Sequence, residues 1–134
     1  MKLKLFIYLI FIFISISCSD PEKCQELIFE PIDKITTLNG ELYTGRCTTY
    51  NDGVKRSIQQ YVNGVDYGNW LFYHPNGKIE TKGKFQNGKR VGTWKYYYSN
   101  GKIKQISKYS KDGERIGNWK NYDSVGNIIK SVRY

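Results

Sequence analysis

The 134-residue chain predicts an all-β protein, an elongated open antiparallel meander of β-hairpin repeats preceded by an N-terminal signal segment. Three observations carry this expectation. Gly45, Gly68, Gly92 and Gly117 open four similar phrases at steps of 23, 24 and 25 residues, and self-similarity at such a period marks a repeat architecture. Within each phrase an aromatic framework recurs in phase. Between phrases stand Asn63-Gly64, Asn87-Gly88 and Asp112-Gly113, pairs that supply the left-handed backbone a tight hairpin reversal needs.

Taken from the N-terminus, residues 1–17 read as a targeting segment. Lys2 and Lys4 precede an apolar run from Leu5 to Ile14, and Ser15-Ile16-Ser17 end it at Cys18. The run is short for a bilayer span, which needs about 20 residues, and suits a secretory signal. Small residues immediately before a cysteine resemble a lipobox, although Ser15 stands where a leucine is usual. The resemblance implies cleavage before Cys18 and lipidation of its thiol, which anchors a protein to a membrane through the apolar area of its acyl chains. An ordinary secretion signal and a retained transmembrane anchor are the alternatives.

Residues 18–38 are expected to form an acidic tether. Between Ser19 and Tyr43, six Asp/Glu face two Lys, and Pro21 and Pro31 favour extended chain. Acidic residues after the lipidated cysteine also resemble the surface-export signals of some Gram-negative lipoproteins. Ile32 to Leu38 suits a strand, and Asn39-Gly40 copies the turns between phrases. A degenerate half-repeat before Gly45 is therefore expected to close a bare sheet edge.

The repeats occupy residues 39–134, with units starting near 45, 68, 92 and 117. Two residues after each opening glycine comes Trp70, Trp94 or Trp119, with Cys47 in the first unit. Three further on stands Tyr50, Tyr73, Tyr97 or Tyr122. A turn glycine follows at Gly53, Gly77, Gly101 or Gly126, and eight residues later an aromatic at Tyr61, Phe85, Tyr109 or Tyr134. Each unit is thus two strands about a turn. In the second strand of the Gly68 unit, Ile79, Thr81, Gly83 and Phe85 alternate with Glu80, Lys82 and Lys84, giving one semi-apolar and one basic face. The third inward slot holds Gln59, Gly83, Ser107 or Val132, mostly small, as if to leave room for a neighbouring indole. Trp and Tyr of the first strand are three apart, so either a bulge intervenes or both faces carry aromatics. A helical reading fails, because a glycine in a helix interior costs about 1 kcal/mol and glycines punctuate the whole array.

The phrase Gly-x-Trp-x-x-Tyr-x-x-x-Gly-Lys followed by aromatic-x-Asn-Gly-x-x-x-Gly resembles the variant MORN repeat of bacteria, the repeat of the YwqK-type antitoxin-like families. Cys47 replaces Trp, and Val54 and Asn127 replace Lys, in the outer units. The resemblance implies an open sheet of hairpins that binds or scaffolds rather than catalyses. Membrane-lipid binding is often proposed for its eukaryotic relatives.

No chemistry of catalysis is legible. His74 is the only histidine and sits at a hairpin tip, where it is expected to be merely solvated. No carboxylate pair recurs in a way that suits acid/base work, and no phosphate loop leads from strand to helix. Neither a metal nor a cofactor is expected. Cys24 and Cys47 are left once Cys18 is acylated. Either they form a disulfide, as thiols in an oxidising envelope tend to, or Cys47 is a buried small hydrophobe and Cys24 is unpaired. Residues 45–134 hold 17 Lys/Arg against six Asp/Glu, and such a field recruits anionic partners. Lys82, Lys84, Lys104, Lys108 and Arg133 are the expected binding face, and Lys95, Lys120, Arg90 and Arg115 belong with it by charge. The export signal argues against nucleic acid. Anionic lipid, envelope polysaccharide and an acidic protein remain. The functional expectation is a non-enzymatic envelope lipoprotein, membrane-anchored and facing the periplasm or the surface, whose repeats form a binding or scaffold module. An immunity-type protein that blocks a toxin, and a carbohydrate binder that stacks sugars on Trp and Tyr, are the other readings.

Overall fold

A computed structural model describes residues 24–134; the signal segment, Cys18 and the start of the acidic stretch lie outside them. The chain runs β1 (Leu27–Glu30), β2 (Ile35–Leu38), β3 (Glu41–Leu42), β4 (Gly45–Asn51), β5 (Val54–Val62), β6 (Val65–Asp66), β7 (Gly68–Tyr73), β8 (Ile79–Gln86), β9 (Lys89–Tyr97), β10 (Ile103–Tyr109), β11 (Asn118–Tyr122) and β12 (Ile128–Arg133). A nine-stranded antiparallel meander orders β12-β11-β10-β9-β8-β7-β5-β4, with the short β6 paired to β5. Within each sheet neighbouring strands are antiparallel and follow one another along the chain, except that β7 returns to pair with β5 past the short β6, so the all-β reading holds. Among the described residues no helix is long and apolar enough to cross a membrane.

Two kinds of turn join the strands, and the residues dictate which. Asn39-Gly40, Asp52-Gly53, Asn63-Gly64 and Asn87-Gly88 place both members at positive φ, from 49° to 80°, the conformation of a two-residue hairpin turn that follows the strand twist. At the longer tips only the glycine is left-handed, as at Gly77 (φ 77°) and Gly101 (φ 91°). The unit-opening glycines have a third duty. Gly68, Gly92 and Gly117 sit at φ 67–69°, and the β8–β9 ladder breaks register beside Gly92. A side chain is strained in that conformation, which explains a glycine there in each of these units.

Cross-strand register bears out the small slot. Gly83 lies opposite Trp70, Ser107 opposite Trp94, Gln59 opposite Cys47 and Val132 opposite Trp119. Each indole also reaches back to the preceding unit. Trp70 Nε1–H donates to Gln60 O (3.1 Å), Trp94 to Lys84 O (3.3 Å) and Trp119 to Lys108 O (3.1 Å). Trp94 lies directly over Gly83, where a Cβ would meet its ring. The choice between a bulge and two aromatic faces resolves as both. The hairpin within each of the four units shifts register near its tip, between Thr49/Tyr50, Phe72/Tyr73, Ile103/Gln105 and Asn121/Tyr122. The extra residue belongs to the second strand, so Tyr73 and Tyr97 still lie opposite in face to Trp70 and Trp94. There they meet lysines, Lys55 Nζ 5.9 Å from the Tyr73 ring and Lys82 Nζ 5.6 Å from the Tyr97 ring.

The acidic stretch departs from the tether expected of residues 18–38. From Leu27 it folds into a separate three-stranded sheet, β1-β2-β3. Leu27 and Leu38 pack against the buried cluster of Tyr43, Cys47, Tyr61 and Trp70, and that apolar burial offsets the entropy of ordering the chain. Nor does this sheet prolong the β4 edge. It docks on the turn after β5, where Thr36 N–H donates to Gly64 O and Gly64 N–H to Tyr43 O, both at 2.7 Å. A disulfide between Cys24 and Cys47 fastens the segment to β4, with Cα atoms 5.5 Å apart. Cys47 is 1% exposed, so one residue is both bridged and buried.

Candidate functional site

The sheet offers two faces of different chemistry. On the indole side, rings run edge to face or tilted along the units: Tyr43–Tyr61 at 5.7 Å, Tyr61–Trp70 at 5.5 Å, Trp70–Phe85 at 4.7 Å and Phe85–Trp94 at 5.0 Å between centroids. Tyr109–Trp119 and Trp119–Tyr134 continue the pattern at 5.2 and 5.0 Å. Trp70 and Trp94 are buried and Trp119 is partly so. A row of indoles open for sugar stacking is therefore not what this side presents.

Arg90 and Arg115 belong to this side, not to the basic face that their charge suggests. Arg90 lays its guanidinium 4.5 Å from the Trp94 ring centroid, and Arg115 lies 5.0 Å from that of Trp119. The signal was in the sequence: both arginines precede their Trp by four residues, an even step that returns a strand to the same face.

The opposite side is basic over an apolar floor. One row crosses it through paired residues: Leu71 opposite Lys82, Lys82 opposite Lys95, Lys95 opposite Ile106, and Ile106 opposite Lys120. No carboxylate belongs to the row. Lys82 and Lys84, with Lys95, Leu71 and buried Val91, line a groove of about 460 Å³ across β7–β9. Lys108 and Arg133, with Lys120, Ile106 and Tyr122, line a second of about 510 Å³ across β10–β12. Four of the five expected binding residues thus fall pairwise into equivalent grooves. Lys104 stands apart, beside a tip, with Nζ 5.8 Å from the Tyr98 ring. Alternation in the second strand of the Gly92 unit puts Ile106 on the basic face, between Lys104 and Lys108; sequence reading missed Leu71 and Val91, which complete the floor.

The hairpin tips are tied to one another. Asn76 Nδ2 donates to Ser99 O and Asn100 Nδ2 to Ser124 O, at 2.8 and 3.0 Å. Lys78 Nζ reaches Asn100 O and Lys102 Nζ reaches Val125 O, at 3.2 and 2.8 Å. His74, expected to be solvated, instead donates from Nε2 to Tyr97 O at 2.9 Å; its place in the series is taken one unit on by Tyr98, whose hydroxyl donates to Tyr122 O at 2.7 Å. The last tip turns inward. Asp123 accepts from the amides of Val125, Gly126 and Asn127 and from the Asn127 side chain, bonds that hold its carboxyl below the ordinary carboxylate range, the Asn127 side chain first. Among the described residues no group of His, Cys, Asp and Glu is arranged to hold a metal ion.

Single-layer hairpins with a conserved-phase indole, a bulge glycine and interlocked tips define a β-hairpin repeat array. The family comparison adds the type: the MORN repeat variant is found at residues 66–87 and 90–111, the units carrying Trp70 and Trp94. No curated protein and no solved structure matches the chain.

Proposed function

We propose that this chain is a non-enzymatic envelope lipoprotein whose repeat sheet binds an anionic polymer or membrane surface through its basic face. A repeat-based binding or scaffold module is compatible with the MORN variant units. The observation that carries the reading is Lys82 directly opposite Lys95. Like charges opposed in a sheet destabilise it, and this pair is kept at the centre of a five-strand row without a carboxylate. An anionic partner relieves that repulsion, while the apolar floor of each groove lets lysine stems lie flat beneath it. The anchor at Cys18 rests on the sequence and brings such a face to an envelope membrane.

The test is sedimentation of the mature protein with vesicles of phosphatidylglycerol and, separately, with an anionic polysaccharide, across a salt series. Reversing Lys82, Lys84 and Lys108 to Glu is expected to abolish binding that wild type shows at low salt and loses at high salt. Equal binding by the reversed variant would remove the proposal. The anchor is checked apart: Cys18→Ala is expected to leave the detergent phase, and unchanged partition would refute lipidation.

A further inference from the structure

Two units carry a built-in guanidinium over their tryptophan. Arg90 stacks on Trp94 and donates from Nη1 to Tyr96 Oη at 3.1 Å. Arg115 stacks on Trp119 and Tyr134 and donates from Nη1 to Tyr134 Oη at 3.3 Å. Each stands four residues before its Trp. In the preceding unit that position is Asp66, four before Trp70. The sign of the charge is inverted, and among the described residues no cation stacks on Trp70. What adjoins Trp70 there is a cavity of about 380 Å³, walled by Asp66, Tyr61, Phe29, Leu27 and Thr36 beside the indole.

We propose that this cavity binds a guanidinium group, held between the Asp66 carboxylate and the aromatic walls of Trp70 and Tyr61. The site inverts an arrangement that the chain makes twice for itself: the later units supply the cation and this one supplies the acid. Aromatic faces attract a cation through their quadrupole, and a carboxylate accepts a guanidinium through two parallel hydrogen bonds. Burial pushes the Asp66 carboxyl up from its ordinary value, the sign of an acid that has lost water without gaining a counter-charge. The segment that covers this end carries Glu26, Glu30, Asp33 and Glu41 against Lys34, so its net charge is negative where that of the array is positive. The volume is at the small end for ligand sites and fits one side chain or a small guanidino compound rather than a polymer. This site lies on the indole side and is independent of the basic face.

Calorimetric titration of the disulfide-intact protein at low ionic strength tests it, with methylguanidinium and a blocked Gly-Arg-Gly tripeptide as probes. Saturable binding is expected, weakened about tenfold or more in Asp66→Asn, with the circular dichroism spectrum unchanged. Asp66→Arg, which copies the later units, is expected to abolish binding and raise the unfolding midpoint, since the guanidinium is then supplied within the chain. Tighter binding of the tripeptide assigns the site to an arginine side chain of a partner, and equal binding to a small guanidino compound. No saturable heat at tens of millimolar probe, equal affinity in wild type and Asp66→Asn, or tetramethylammonium binding as tightly as methylguanidinium would overturn the proposal.

Discussion

Gly83→Ala adds a single methyl group and is expected to cost about 2–3 kcal/mol. Gly83 sits in β8 without positive φ, and a Cβ built there lies 2.5 Å from Trp94 Cε3 and closer still to Cδ2 and Cε2. Carbon atoms pack at about 3.5–4 Å, so the indole must retreat by more than 1 Å as a rough measure. Overpacking of that kind costs about 1–3 kcal/mol. Retreat also lengthens the bond from Trp94 Nε1 to Lys84 O, already 3.3 Å, worth about 0.5–1 kcal/mol, and disturbs the edge contact with Phe85, worth about 0.5–1 kcal/mol. Alanine returns about 0.5–1 kcal/mol by stiffening the unfolded chain relative to glycine. Urea denaturation followed by tryptophan fluorescence and by circular dichroism measures the balance. On a Trp94→Leu background the same substitution is expected to cost less than about 1 kcal/mol, because the obstructing ring is gone and the two sites couple. A Gly83→Ala protein as stable as wild type, or an equal cost on both backgrounds, would refute the slot.

Three further outcomes are expected. Ser107 Oγ is buried with no hydrogen-bond partner, so Ser107→Ala keeps the slot small, removes an unpaired hydroxyl and raises the urea midpoint by about 1 kcal/mol equivalent; destabilisation would show that the hydroxyl has a partner. Cys24→Ser with Cys47→Ser is expected to cost about 3 kcal/mol, the loop-entropy value for a closure near this size, with hydrogen exchange rising first in β1–β3 and little in β9–β12. Burial pushes the Tyr61 phenol up to about 12, with the nearby Asp66 adding to the shift. An acid raised in the folded state contributes stability that is full below the unfolded value near 10 and is lost as pH rises through 12. Tyr61→Phe is therefore expected to lose less stability than wild type between pH 10 and 12, by urea midpoints at each pH.

The array was legible because its constraints are local and steric. A left-handed turn admits Asn-Gly, a bulge beside an opening strand admits Gly92, and an indole lying over the preceding strand leaves room there for Gly83. Each leaves a mark at a set distance along the chain. The N-terminal sheet was legible in part: β2 falls within the strand expected over Ile32 to Leu38, and Asn39-Gly40 makes the expected turn into β3. Its first strand left little mark, because Ile28 and Phe29 are exposed and the sheet is held by contact with Tyr61 and Trp70 and by the disulfide to Cys47, all distant in sequence. The binding face was half legible. Charge nominated the lysines, but only alternation counted from each Trp separates Arg90 and Arg115, which cover indoles, from Lys82 and Lys95, which face outward.

The linked tips give the array a direction. Asn76 and Lys78 hold the tip ahead, Asn100 and Lys102 hold the one after, and at Asp123 the series folds back on itself. A duplicated copy of residues 68–91 inserted at its own boundary would find matching hands before and behind, whereas a copy joined beyond the Asp123 hairpin would meet a tip with nothing extended toward it. Duplication within the array therefore keeps the tip contacts continuous, while a tip of the Asp123 kind interrupts them.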